Sequence, residues 1–117
     1  MRMTEITYGQ ALAIESYGPG FFRVGTHVLR GACLVTPWNA RAWGGLEDVA
    51  APLTLVGRID VLLVGTGREI AQVPTAFRTA LEAQGIGVEI MNSPAAARTY
   101  NVLLGEGRRI AACLIPV

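Results

Sequence analysis

Three short apolar runs in the second half of the sequence constrain the fold most. IDVLLV (59–64), GVEIMN (87–92) and RIAACLIP (109–116) have six to eight residues each. That length suits a strand covered on both faces and falls far short of the ~18 apolar residues that a membrane-spanning helix needs. Because longer segments separate the runs, we predict β-α-β-α-β, with the first two strands parallel and joined by a right-handed crossover.

The segments between these runs carry helix signals. Apolar residues recur at helical spacing before Gly85, which suits a left-handed cap, so we predict a helix over 75–84. In SPAAARTYNVLLG, Ser93 has the position of an N-cap and Pro94 that of the first helical residue. We expect this second helix to end at Gly105.

The first half of the sequence predicts short strands joined by tight turns. ALAIESY, FFRV and HVLRGACLV are rich in β-branched and aromatic residues, and the Gly-Pro-Gly of 18–20 predicts a hairpin. Residues 38–58 are the least regular and predict a strand near 41–43, followed by at most two turns of helix. With 117 residues, the whole chain, 1–117, is expected to form a single α/β domain on one mixed sheet.

Charge and cysteine content narrow the function classes. Ten arginines, no lysine and nine acidic residues give a net charge of +1, which does not favour nucleic-acid binding. The first ten residues lack the apolar core of a secretory signal, so we predict a cytoplasmic protein. Cys33 and Cys113 lie far apart in apolar runs, which indicates buried free thiols rather than a disulfide framework or a zinc site.

The turn VGTG after the first apolar run suggests phosphate binding. A dinucleotide fingerprint would need a third glycine where Ile70 stands, and the helix begins late. A weaker site remains, because neighbouring parallel strands end side by side and could bind a small anion through loop N–H groups, an arginine and a helix N-terminus. The candidate ligand residues are Gly65, Thr66, Gly67, Arg68, Asn92 and Ser93. Alternatively, the glycines only turn the chain and Ser93 only caps a helix.

No catalytic set is recognisable in the sequence. The one histidine, His27, precedes Cys33 by six residues on what we expect to be the same strand. At ~3.3 Å per residue they would lie about 20 Å apart, too far for a nucleophile and its base. We therefore predict no catalytic residues, no metal site and no cofactor.

Aromatic residues supply candidate interface positions. Trp38 and Trp43 flank an irregular segment, and Phe21 follows the Gly-Pro-Gly turn. Such side chains are enriched in protein interfaces if exposed. The alternative is that they anchor the packing of the core.

Three longer stretches together resemble a widespread family of small one-domain proteins. They are SYGPGFFRV (16–24), VLLVGTG (61–67) and GVEIMNSPAAARTYNVLLGEGRRIAACLI (87–115). The family's mitochondrial members are assembly factors of respiratory complex I, and its bacterial and archaeal members are largely uncharacterised. The recurrent positions of the family fall on Gly18, Gly20, Gly65, Thr66, Gly67, Arg98, Thr99, Tyr100 and Asn101.

The resemblance implies a fold and a function. The fold would be three-layer α/β with a central mixed sheet, its last strand lying mid-sheet and antiparallel to its neighbours, where periodicity alone predicts a parallel strand. The function would be non-catalytic protein interaction during assembly of a respiratory or other membrane-associated complex, with complex I subunits or assembly proteins as partners. Homodimer formation and peripheral association with the inner face of a membrane are compatible with it. The alternative is an anion-binding protein or an enzyme using the loop site.

Overall fold

The computed structural model describes residues 11–117, whose helices and strands follow the predicted order. The strands are β1 (Ile14–Gly18), β2 (Phe21–Val24), β3 (His27–Arg30), β4 (Cys33–Val35), β5 (Ala40–Ala42), β6 (Val61–Thr66), β7 (Gly87–Met91) and β8 (Ile110–Ile115). The helices are α1 (Ala50–Leu53), α2 (Thr75–Glu82) and α3 (Ser93–Gly105). The predicted β-α-β-α-β order is therefore confirmed for β6 to β8. Our expectation about a secretory signal concerns residues 1–10 and lies outside the described range.

The described strands form two sheets where the sequence predicted one. A five-stranded mixed sheet has the order β5-β4-β8-β6-β7, and a separate antiparallel sheet has the order β1-β2-β3. Strand β8 lies mid-sheet, as the resemblance implied. It runs parallel to β6 and antiparallel to β4, so the family-based and the periodicity-based predictions each hold for one neighbour.

The five-stranded sheet is the middle of three layers. Alternate residues of β8 face opposite sides: Ile110, Ala112 and Leu114 join the core under α3 and the three-stranded sheet. Ala111 and Cys113 join the core under α1 and α2. Because both faces are covered, the strand is apolar throughout, and each fully buried large side chain contributes roughly 1.5–3 kcal/mol. The predicted three-layer architecture is confirmed.

Turn chemistry explains the hairpin of β1 and β2. Gly20 has φ 79°, a left-handed conformation that glycine adopts without strain. A Cβ on Gly18 would lie 2.5 Å from Cε1 of Phe21, so the phenyl ring occupies the space above this glycine. The predicted hairpin is thus confirmed, and so are the predicted strand and short helix of residues 38–58, seen as β5 and α1.

One expected strand is broken in the structure. His27 and Cys33 belong to β3 and β4, which lie in different sheets, because the chain turns at Gly31 with φ 83°. Both cysteines are buried and free, as predicted. Burial raises the pKa of the Cys33 thiol to about 12. Among the helices of residues 11–117, none is long and apolar enough to cross a bilayer.

Candidate functional site

The carboxyl ends of β6, β7 and β8 meet at one rim of the central sheet. The loop after β6 lies beside the start of α3, as the sequence predicted. Two hydrogen bonds join these segments directly: Ser93 N donates to Gly67 O at 2.7 Å, and Gly67 N donates to Ser93 Oγ at 2.9 Å. Ser93 Oγ also donates to Ile115 O at the end of β8. One hydroxyl group therefore links β6, α3 and β8.

The N-cap of α3 is Asn92, and our prediction of Ser93 was wrong by one residue. Asn92 has extended backbone angles, and its Oδ1 accepts a hydrogen bond from Ala95 N at 2.8 Å. Both residue types cap helices well, so local preference does not decide between them. The deciding factor is the sheet beneath, which takes up the Ser93 side chain and leaves it 0% exposed.

The Gly-Thr-Gly sequence is explained by how closely the chain packs at this rim. A Cβ on Gly65 would lie 2.8 Å from both Cα and Oγ of Ser93, so only glycine allows α3 to start across β6. Gly67 has φ 106°, which favours glycine. Thr66 Oγ1 accepts from Ala71 N at 2.9 Å and lies 3.0 Å from Glu69 O, which closes the loop.

The candidate ligand residues are thus brought together, but the backbone N–H groups of Gly67 and Ser93 are bonded within the chain. The Gly67 N–H that an anion would need donates to the Ser93 hydroxyl. In the first turn of α3, the Ala95 N–H donates to Asn92 Oδ1. Arg68 is exposed at the same rim. Anion binding here stays a proposal. Within residues 11–117, no group of three or more His, Cys, Asp or Glu side chains is placed to hold a metal ion.

The second group of family-motif residues lies on α3 and holds the N-terminal segment. Tyr100, 0% exposed, donates its hydroxyl proton to Leu12 O at 2.8 Å, and burial raises its pKa above the usual range. The Asn101 carboxamide accepts from Ile14 N at 2.9 Å and donates to Ile14 O at 2.8 Å. Sequence reasoning missed this role. The only local signal was an asparagine inside a helix, where its propensity is poor.

The other motif residues occupy the surface or a turn. Gly20 N donates to Val117 O at 3.1 Å, which brings the hairpin tip to the rim. Thr99 is half-buried, and Arg98 is exposed. Arg98 lines a groove between β1 and α3, whose cavity volume is about 290 Å³.

Trp43 is a core residue, which corrects its candidacy for an interface. It is 5% exposed, its Nε1 donates to Asp48 O at 2.8 Å, and its ring centroid lies 6.1 Å from that of Phe77. Trp38 is 40% exposed, with the Arg58 guanidinium 4.1 Å from its ring centroid. Phe21 is half-buried over its neighbouring glycine. Trp38 and Phe21 therefore remain candidates for an interface.

Comparison with known proteins gives a consistent picture. The family model described as "Protein of unknown function (DUF498/DUF598)" matches residues 14–115. An uncharacterised protein of Rhodobacter capsulatus is 45% identical over 117 residues, covering 100% of this chain and 94% of that protein. The rat protein named NADH dehydrogenase [ubiquinone] 1 alpha subcomplex assembly factor 3 is 32% identical over 116 residues. That match covers 93% of this chain and 63% of the rat protein, so the chain spans less than two thirds of the relative's length.

Solved structures share the fold. A Bartonella henselae chain described as an outer membrane protein superposes with a TM-score of 0.82 at 35% identity, covering 90% of this chain and 94% of that one. A Bordetella pertussis protein described as a Mth938-like domain superposes with a TM-score of 0.77 at 27% identity, covering 99% and 92%.

Proposed function

The chain belongs to the DUF498/DUF598 family of proteins of unknown function, and we propose that it is a non-catalytic interaction protein that aids assembly of a multisubunit complex. The observation that carries the proposal is the 32% identity to rat and human proteins named assembly factor 3, over 93% and 92% of this chain. The finer proposal is that the complex is respiratory and resembles complex I, or is another membrane-associated complex.

The chemistry of the described residues supports a non-catalytic role. Cys33, the candidate nucleophile, is buried, and its raised pKa keeps it protonated near neutral pH. His27 lies in the other sheet. The buried polar side chains of the motif, such as Tyr100, bind backbone groups of the same chain. These residues therefore support the fold, and the exposed surface is left for partners.

Complex I subunits or their assembly proteins are the proposed partners. A cytoplasmic location, with the protein peripheral to the inner face of the membrane, would bring it to that complex as it forms. A homodimer is a further proposal about its state in solution.

The proposal is tested in the native cell with a chromosomally tagged chain and a strain that lacks it. Crosslinking followed by purification should enrich complex I subunits or assembly proteins over an unrelated tagged control. In the deletion strain, native gels should show less assembled complex and more subcomplexes, whereas the assembled fraction keeps normal specific activity. Normal assembly, together with reproducible absence of such partners, would contradict the proposal.

Anion binding at the rim is the competing function. The observation in its favour is that exposed Arg68 lies in the loop beside the first turn of α3. It predicts that inorganic phosphate or nucleotides raise the melting temperature, and that Arg68→Ala removes this shift whereas Arg108→Ala keeps it. A melting temperature unmoved by a broad set of anionic metabolites would eliminate it.

A further inference from the structure

Strand β1 is an edge strand, and part of its outer edge faces α3. Among the strands of residues 11–117, it pairs with β2 alone, on one side. A two-residue turn joins Gly18 to Phe21, so these two residues form a hydrogen-bonded pair of the ladder. In an antiparallel ladder, the N–H and C=O groups of successive residues point alternately toward the partner strand and away from it. The N–H and C=O groups of Tyr17 therefore point away from β2.

Asn101 already occupies one position of this edge as a strand would. Its carboxamide binds both the N–H and the C=O of Ile14, at 2.9 and 2.8 Å. A neighbouring strand offers the same donor and acceptor to a single residue. Beyond this point, the backbone of Tyr17 has no hydrogen-bond partner within residues 11–117. A register shift between Ile14 and Ser16 interrupts the alternation, so Ile14 and Tyr17 both face outward although they are three residues apart. The edge thus accepts amide pairing at Ile14 and offers it again at Tyr17.

The groove beside Tyr17 combines apolar surface with two opposite charges, Arg98 and Glu15. Tyr17 is 44% exposed and Val102 55% exposed, and Ala97 forms the apolar floor between them. On the α3 wall, Arg98 takes part in none of the ion pairs among residues 11–117. The opposite wall, on β1, carries the exposed carboxylate of Glu15. Glu15 and Arg98 form no ion pair among residues 11–117, so Arg98 is open to a carboxylate of a partner that places an apolar side chain beside it.

We propose that an extended segment of a partner protein adds to β1 at Tyr17, with an apolar side chain in the groove and a carboxylate on Arg98. This inference rests on the proposed function, because it names how the partner is bound. Strand addition draws its affinity from main-chain hydrogen bonds and its specificity from side-chain pockets. The open stretch 15–18 is about 13 Å long at ~3.3 Å per residue, which suits a short segment. A second folded copy would bring its own α3 against the same edge.

The test uses a phage-displayed library of random dodecapeptides selected against the full chain. Selected peptides should share an acidic residue next to apolar ones. In nuclear magnetic resonance spectra they should shift the signals of residues 14–18 and 94–102. Bound peptide should slow hydrogen exchange of the Tyr17 amide at least about tenfold, because a new strand would protect that N–H.

Charge reversal gives the matched comparison. Arg98→Glu should weaken peptide binding by about tenfold or more, since a charge-assisted hydrogen bond becomes a repulsion. Arg23→Glu, at an exposed position of β2 outside the groove, should stay within about twofold of wild type. Both variants should keep the wild-type melting temperature, which separates lost binding from lost folding.

Several outcomes would overturn the inference. The first two are a library that yields no binding peptide and peptides that shift NMR signals elsewhere on the surface. The others are a peptide affinity that Arg98→Glu leaves unchanged, and a Tyr17 amide whose hydrogen exchange is not slowed, as expected for a docked helix. Concentration-dependent dimerisation that protects this amide without peptide would assign the edge to a second copy. Capture of complex I proteins equally by wild type and Arg98→Glu would refute the groove and leave the assembly proposal standing. Peptide binding at the groove, with normal complex assembly in the deletion strain and reproducible absence of complex I partners after crosslinking, would refute the assembly proposal alone.

Discussion

Removal of the Ser93 hydroxyl should destabilise the fold more than any exposed serine substitution. In Ser93→Ala, the Gly67 N–H loses its acceptor at 2.9 Å, and Ile115 O loses its donor. The first of these bonds is buried and the second partly buried. The protein must then keep unpaired polar groups away from water or distort the rim to expose them.

The magnitude follows from these two groups. An unsatisfied buried donor or acceptor costs roughly 1–3 kcal/mol, and Ile115 O, whose bond is only partly buried, should cost less than the Gly67 N–H. We therefore expect Ser93→Ala to lower the free energy of unfolding by about 2–4 kcal/mol. An unfolding entropy of ~2.1 cal/mol/K per residue gives ~0.25 kcal/mol/K for this chain, which converts the loss to a drop of about 8–16 °C in melting temperature.

Urea unfolding and calorimetry of the wild type and of Ser93→Ala measure this loss. Ser16→Ala deletes the same hydroxyl at an exposed position of β1 and should change the free energy of unfolding by less than about 0.5 kcal/mol. If Ser93→Ala also stays below about 0.5 kcal/mol, the hydroxyl does not support the fold, and the argument from buried hydrogen bonds is refuted. An unchanged melting temperature combined with loss of an anion-induced shift would point to the ligand site.

Four further predictions concern packing, the α3 tether, thiol labelling and the pH dependence of stability. Gly65→Ala should lower the melting temperature because its Cβ would lie 2.8 Å from backbone, whereas Gly105→Ala meets nothing within 4 Å and should not lower it. Asn101→Ala should lower the free energy of unfolding in urea by about 1–3 kcal/mol, because the N–H and C=O of Ile14 lose their partners. A smaller decrease would show that water replaces the amide. A thiol reagent near neutral pH should label Cys33 and Cys113 only after unfolding, and labelling of the folded chain would contradict their burial. Since the pKa of Cys33 rises from 9.0 to about 12 on folding, its contribution to stability is complete below pH 9 and is lost as pH rises toward 12. The urea midpoint should therefore fall across that range, and less so in Cys33→Ala.

The fold was predictable wherever local signals agree. Apolar runs predicted β6, β7 and β8, and the Gly85 cap predicted the end of α2, because strand and helix periods and cap conformations are encoded over a few residues. The N-terminal strands were predicted as strands, but their separation into a second sheet was not. The chain passes from the three-stranded sheet to the five-stranded sheet at Gly31. The sequence around this glycine resembles that of turns that stay within one sheet, so it could not predict the change.

The candidate site was predictable only in part. Parallel pairing correctly placed the loop of 65–67 beside Asn92 and Ser93, since the ends of neighbouring parallel strands share one rim. Which of the two residues caps α3 was not predictable, because both types can do so. Burial likewise assigned Trp43 to the core and left Trp38 on the surface, although the two lie in the same irregular segment.

By itself, the sequence determined the α/β class, the β-α-β-α-β order of the second half and the family, because these depend on short-range patterns and motif spacing; the three layers were implied by the family resemblance. Only the tertiary structure decided what the motifs do. The Asn101 amide meets Ile14 across 87 residues, and Ser93 meets Gly67 across 26. Such pairings depend on how distant backbone groups are brought together when the layers close, and no local period records them.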